Sequence, residues 1–251
     1  MPEEDSTSAH ALNGRDALDE VRAAGPADAL ARLGAAFSSP GRAEEAISFY
    51  EQALAAYRAS HDRRGEAQTL ASLAQAWWQR GEIERAAATY AEAAELFRLV
   101  NEPAGAAAAL NCLGLLADRQ GDLGAALGYY EQALAILWDA GDRDGEAATL
   151  DVIGMTLRRM RSYKAALDAH QQALAIRRQR KDQAGEASTR HALAMVFDAM
   201  GQPERAIAYY EWALRLRQSL EDRPGEAITS YNLAKLYERL NLLREDEALL
   251  S

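Results

Sequence analysis

The sequence predicts an all-α solenoid of antiparallel helix pairs, and three observations predict it. Nearly every residue type in 65–100 returns 40 positions earlier or later. Inside each copy the apolar residues fall at helical spacing, as Leu70, Leu73, Ala74 and Trp77 do at i, i+3, i+4 and i+7. The composition is rich in Ala and Leu and poor in β-branched residues, which favours helix throughout. A fixed period of this length marks stacked units rather than one globular core.

Two glycine columns punctuate the period. The first is Gly25, Gly65, Gly105, Gly145, Gly185 and Gly225; the second is Gly41, Gly81, Gly121 and Gly201, with Arg161 and Asn241 in its place twice. Between them runs a first helix, here called A. Asp62, Asp142, Asp182 and Asp222 are placed to accept first-turn N–H groups as N-caps. Pro103 and Pro224 sit where a first turn tolerates a missing N–H. The second glycine ends helix A in the left-handed conformation, and helix B returns antiparallel. Helix B carries Ala46, Ala86, Ala126, Ala166 and Ala206, then Tyr50, Tyr90, Tyr130, His170 and Tyr210, then Ala53, Ala93, Ala133, Ala173 and Ala213. These small columns let backbones approach closely, the tyrosines fill the space beside them, and His170 reads as a core residue in a tyrosine position. One pair cannot bury its own apolar face, so its neighbours must cover it.

Taken in order, residues 1–13 lack periodicity and read as a disordered tail. Residues 14–24 read as a short capping helix, with Leu18 and Val21 over the first repeat. Residues 25–251 form the solenoid: repeats at 25–64, 65–104, 105–144, 145–184 and 185–224, and a truncated sixth from 225. Repeat three carries Gly124 and Gly128 inside helix B, each a cost of about 1 kcal/mol against Ala. The column Tyr57, Phe97, Leu137 continues as Arg177 and Arg217, and the column it faces, Leu70, Leu110, Leu150, continues as Arg190 and Ser230. Either the arginine stems cover apolar surface while their heads reach water, or this edge receives an acidic partner. Arg158, Arg159, Arg161, Lys164, Arg177, Arg178, Arg180, Lys181 and Arg190 make a basic region in repeats four and five, where an acidic partner could dock. In the sixth repeat Asn241 marks the turn and helix B stops short. Leu242, Leu243, Leu249 and Leu250 then suggest self-association through this end.

The order Leu70, Leu73, Ala74, Trp77, Ala86, Tyr90, Ala93 resembles the tetratricopeptide repeat signature. The longer loops, DRRGEA and DRPGEA, lengthen each copy beyond the family's usual period of about 34 residues. That longer form is similar to the repeats of kinesin light chains and of bacterial signalling proteins. The resemblance implies a right-handed superhelix that binds partners and performs no reaction of its own. It also implies which helix A positions line the concave surface. Carried over residue by residue, these give Gln75, Trp78, Asn111, Leu115, Arg119, Asp151, Met155, Arg158, Arg159, His191, Met195, Tyr231 and Lys235 as candidate partner-binding residues. Asn111, Asp151, His191 and Tyr231 make a polar ladder, and Leu115, Met155 and Met195 an apolar stripe beside it. Such a surface pairs with a peptide's polar groups while methionine adapts to its apolar side chains. On this reading Asn111 and Asp151 are open to a ligand and replacing them leaves stability unchanged.

The leading functional expectation is therefore a protein-interaction scaffold holding a peptide or helix of a partner protein in that groove. A regulatory or sensor module of a larger bacterial signalling assembly is the first alternative. An enzyme is the second: Asp151 beside His191 could charge an imidazole. No nucleophile or oxyanion donor accompanies them, so no catalytic residue and no cofactor are assigned. The net charge of −10 argues against a general nucleic-acid binder. Cys112 is the sole cysteine and the histidines are dispersed, so no metal site is assigned. No apolar run approaches the ~20 residues of a membrane span. The first ten residues are acidic and polar where a signal peptide needs positive charge and an apolar segment, which reads as cytoplasmic.

Overall fold

The computed structural model describes residues 25–38 and 41–250, with 242–250 as backbone only; the expected tail at 1–13 and capping helix at 14–24 lie outside them. The described residues form α-helices joined by short turns, with no strand among them. In chain order these are α1 (Pro26–Ala36), α2 (Ala43–Ser60), α3 (Arg63–Gln79), α4 (Ile83–Leu99), α5 (Pro103–Gln120) and α6 (Leu123–Ala140). They continue as α7 (Arg143–Arg159), α8 (Tyr163–Arg180), α9 (Gln183–Ala199), α10 (Pro203–Ser219) and α11 (Arg223–Leu250). The chain divides within α5 into two compact units, one ending at Leu116 and the other beginning at Ala117. In the first, α1 packs on α2, α2 on α3 and α3 on α4; in the second, each helix from α6 to α11 packs on the next.

The helix starts follow the predicted chemistry. Asp62, Asp142, Asp182 and Asp222 each accept the N–H of the glycine three residues on, at 2.9 to 3.0 Å. Asp122 caps α6 in the same way through Ala125 N–H at 2.9 Å, an N-cap at a helix B that sequence reading did not single out. Gly41, Gly81, Gly121 and Gly201 take φ between 69° and 93°, and Arg161 takes 60° in the glycine position of repeat four. A second left-handed column closes helix B at His61, Asn101, Gly141, Lys181 and Glu221. Only one of its members is glycine, which is why the sequence does not announce it.

The first glycine column has a different cause. A Cβ at Gly65 would stand 2.3 Å from Tyr57 Cε1, one at Gly105 2.5 Å from Phe97 Cδ1, and one at Gly145 2.6 Å from Leu137 Cδ2. The side chain eight residues earlier lies flat on each glycine, so the position must be empty. The alanine columns of helix B are fully buried, and Tyr50, Tyr90, Tyr130, His170 and Tyr210 are buried beside them. His170 has the place a tyrosine has elsewhere, and Gly154 makes room for its ring.

Two expectations need correction. Helix α11 runs without a break through Asn241, where the period predicts a turn. Glu238, Arg239, Leu240, Leu242 and Leu243 around Asn241 are good helix formers and no glycine interrupts them, so the helix continues. The side chains of Leu242, Leu243, Leu249 and Leu250 lie outside the described residues. The arginines of the aromatic column, in turn, do not send their heads into water. Arg217 is buried and donates to Gly225 O and to Thr229 Oγ1, the latter at 2.6 Å. Arg177 is held by Asp182 and Asp151 at 2.9 Å each.

Candidate functional site

In the first unit, Gln75 on α3 accepts a hydrogen bond from the Tyr90 hydroxyl of α4 at 2.8 Å. Both line a cleft of about 340 Å³ together with Ala71 and Cys112. Burial raises the Cys112 thiol above its ordinary range, opposed by its hydrogen bond with Tyr90. Trp78, Asn111 and Leu115 are half-buried. In the second unit, Arg119 is exposed near the end of α5.

The polar ladder of the second unit is less open than the sequence implies. Asp151 Oδ1 accepts from His170 Nδ1 at 2.8 Å, and Oδ2 lies 2.9 Å from Arg177 and 2.8 Å from the Thr189 hydroxyl. This carboxylate joins α7, α8 and α9, so the expectation that it can be removed without loss of stability does not survive the geometry. His191, on α9, is buried. Asn232 Nδ2 donates to its Nε2 at 3.1 Å, which leaves Nδ1–H to donate to Thr229 Oγ1 at 3.2 Å. Burial, aided by the nearby Arg217 charge, pushes its pKa down from 6.5 to about 4, so the ring is neutral near pH 7. Asp151 and His191 therefore serve separate networks. The Asp–His pair that does form contains His170, which is fully buried and offers no face to a substrate.

The basic region is largely answered from within. Arg159 pairs with Asp118, Arg177 with Asp151 and Asp182, Arg178 with Glu186, and Arg180 with Asp144. Arg190 is buried, pairs with Glu186, and lies 3.7 Å from the centre of the Trp212 ring. An acidic partner would thus meet less positive field there than the residue count suggests.

A cleft of about 530 Å³ opens in this unit, walled by α7, α9, α10 and α11. Arg158, Met195 and Lys235, three of the sequence-predicted residues, meet here with Tyr210, Asn232 and Leu236. Tyr210, pushed up to about 12 chiefly by burial, and Leu236 form the apolar floor. Asp198 and Glu238 are on the rim, with Arg239 bonded to Asp198. Lys235 Nζ stands 5.1 Å over the ring of Tyr231, which is 60% exposed, and Met155 is 47% exposed one layer back on α7. Sequence reading missed Asn232 and Tyr210 as walls: the first lies one residue from the ladder, and the second reads as packing because its column is packing elsewhere. Among the described residues no group of acidic, His or Cys side chains is placed to hold a metal ion. No described helix is long and apolar enough to cross a membrane.

A sequence model of the tetratricopeptide repeat matches residues 25–99, 105–179, 145–219 and 185–249. No curated protein matches the sequence. Among solved structures, BtubC (BKLC) from P. vanneervenii is similar with a TM-score of 0.69 at 22% identity, over 82% of this chain and 87% of its own. The Rap conjugation gene regulator of plasmid pLS20, in complex with the Phr* peptide, gives 0.66 at 19%, over 100% and 68%. A Rap protein complexed with competence and sporulation factor gives 0.59 at 18%, over 86% and 65%. At such identities the likeness is one of fold.

Proposed function

Because the chain belongs to the tetratricopeptide repeat family, we propose that it is a protein-interaction scaffold that holds a peptide or helix of a partner protein against its A helices. The observation that carries this is the convergence of Arg158, Met195 and Lys235 on one cleft of about 530 Å³. Solenoids of this kind use such faces for binding. The two Rap structures, of the same fold, include one with a bound peptide and one with competence and sporulation factor, which supports the reading.

The chemistry narrows the ligand. Arg158 and Lys235 suit a carboxylate, side-chain or terminal, and Arg158 can take it with two parallel N–H donors. Met195, Tyr210 and Leu236 accept an apolar neighbour, with methionine adapting its shape to it. Asp151, Asn111 and His191 contribute less, since at least the first and last are committed to bonds within the fold.

The test is capture of partners by cross-linking to the full chain, identification by mass spectrometry, and calorimetry on the peptide so found. Arg158→Glu with Lys235→Glu should weaken that peptide by at least about tenfold, as expected when a charge-assisted contact worth about 1.5 kcal/mol or more is reversed. The helical signal and unfolding midpoint should stay near those of the parent. Undiminished affinity in this double variant would move the binding site elsewhere.

A further inference from the structure

A second cleft, of about 490 Å³, opens between α6, α7 and α8 and shares no residue with the first. Leu134, Ala135 and Leu150 line it, Glu131 and Glu146 bring negative charge, and Trp138 beside it is 73% exposed. An indole left so open is unusual, and the repeat shows what normally stands in its place.

Trp138 occupies the column of Arg58, Arg98, Arg178 and Gln218, and Glu146 that of Glu66, Glu186 and Glu226. Wherever else this glutamate occurs, the residue eight before it bonds to it: Arg58 Nε to Glu66 at 2.6 Å, Arg178 Nε to Glu186 at 3.0 Å, and Gln218 Nε2 to Glu226 at 2.9 Å. Arg58 is held from a second side by Glu92, and Arg178 lies 5.6 Å from the ring centre of Trp212, in the column of Gln172. The chain thus twice builds a guanidinium into this place. At Trp138 it supplies an indole and a carboxylate and no guanidinium between them, while Glu146 turns to Arg143 on its own first turn.

We propose that the cleft between α6, α7 and α8 receives an arginine side chain from a partner protein, its guanidinium against the Trp138 ring and toward Glu146 and Glu131. A cation over an indole face is attracted by the ring's quadrupole, and the attraction grows where water is displaced. The planar guanidinium stacks and hydrogen-bonds at once, which an ammonium does not. Leu134, Ala135 and Leu150 accept the methylene stem. The net charge of −10 favours the approach of a basic segment. The acidic rim disfavours free arginine, whose own carboxylate would be drawn in with it.

Ligand-observed saturation-transfer NMR on the full chain tests this, with N-acetyl-arginine methylamide as probe, its citrulline analogue as the uncharged match, and free L-arginine as the metabolite control. The arginine derivative should bind saturably, about fivefold or more tighter than the citrulline analogue, the discrimination expected of a cation at an indole beside a carboxylate. Trp138→Arg restores the repeat's own arginine and should abolish the signal while the protein stays folded by circular dichroism. Should that variant misfold, Trp138→Ala, which removes only an exposed ring, should weaken the probe to the level of the citrulline analogue. Glu146→Gln should weaken it too. Equal binding of the citrulline analogue, unsaturable binding, or unaltered binding in the Trp138 variants would overturn the proposal. So would tighter binding of free arginine, which would make the site one for a metabolite.

Discussion

At the scale of single residues, Asp151 shows how a position chosen for binding can be needed for folding. Its carboxylate is the common acceptor for His170, Arg177 and Thr189, all from helices that follow it in the chain. Asp151→Ala would leave the Arg177 guanidinium in a largely enclosed place with one acidic partner fewer. The expected cost is about 3 kcal/mol, the scale for breaking an enclosed pair by removing one member. Denaturant unfolding measures it, and Asp144→Ala, which removes an exposed partner of Arg180, should leave the midpoint unchanged. His191 supports a prediction on pH. Its folded pKa lies near 4 against 6.5, so between those values the unfolded chain binds the additional proton. Stability is then full above about pH 6.5 and falls as pH drops toward 4, with a slope approaching about 1.4 kcal/mol per pH unit from this group. His191→Gln should flatten that slope relative to the parent; equal slopes between the two pKa values would show that the ring titrates normally. The sequence places both residues on helix A, and they lie on α7 and α9. It could not disclose their commitments, because key partners stand in columns that carry another residue type in the earlier repeats, such as Arg177 where the column began as Tyr57 and His170 where it began as Tyr50.

At the scale of the helix, the sequence discloses most of what the structure contains, since the signals are local: an aspartate before the first turn, a glycine after the last, and apolar residues on one stripe. It fails where a signal is absent though the conformation is required, as at Lys181 and Glu221, which adopt φ of 58° and 56° without being glycine. It fails at Asn241 for the opposite reason, a marked position at which the helix simply continues. Two glycines, one inside α6 and one just after it, carry opposite expected outcomes. Gly128 lies in its interior, where an added methyl would meet nothing within 4 Å, and Gly141 follows its end at φ 69°. Gly128→Ala should therefore stabilise by about 1 kcal/mol through helix propensity. Gly141→Ala should destabilise by about 1 kcal/mol, the penalty a Cβ meets in the left-handed region. Thermal unfolding of the two variants checks both signs, and a shift in the same direction would mean that α6 ends differently from the helix described.

At the scale of the molecule, a period of 40 residues makes stability a matter of neighbouring layers, and within each unit the helices pack chiefly on the next in the chain. The second unit shows this in one cluster. Leu174 of α8, Leu193, Ala194 and Phe197 of α9, Ala206 and Tyr210 of α10, and Leu236 of α11 pack together, with Leu193 fully buried among them. Leu193→Ala removes most of a side chain from that cluster and leaves a space that rigid helices fill only in part. The expected loss is about 2 to 5 kcal/mol. In a globular domain such a loss would lower protection everywhere that global unfolding limits exchange. Here the helices whose side chains share the cluster should open first, since local opening free energies follow the contacts that are lost. Amide hydrogen exchange on the folded variant should therefore quicken in α8 to α11 and stay near the parent's rates in α1 to α4. A uniform rise across all helices would instead make the chain one cooperative body, and the layer-by-layer account of its stability would fail.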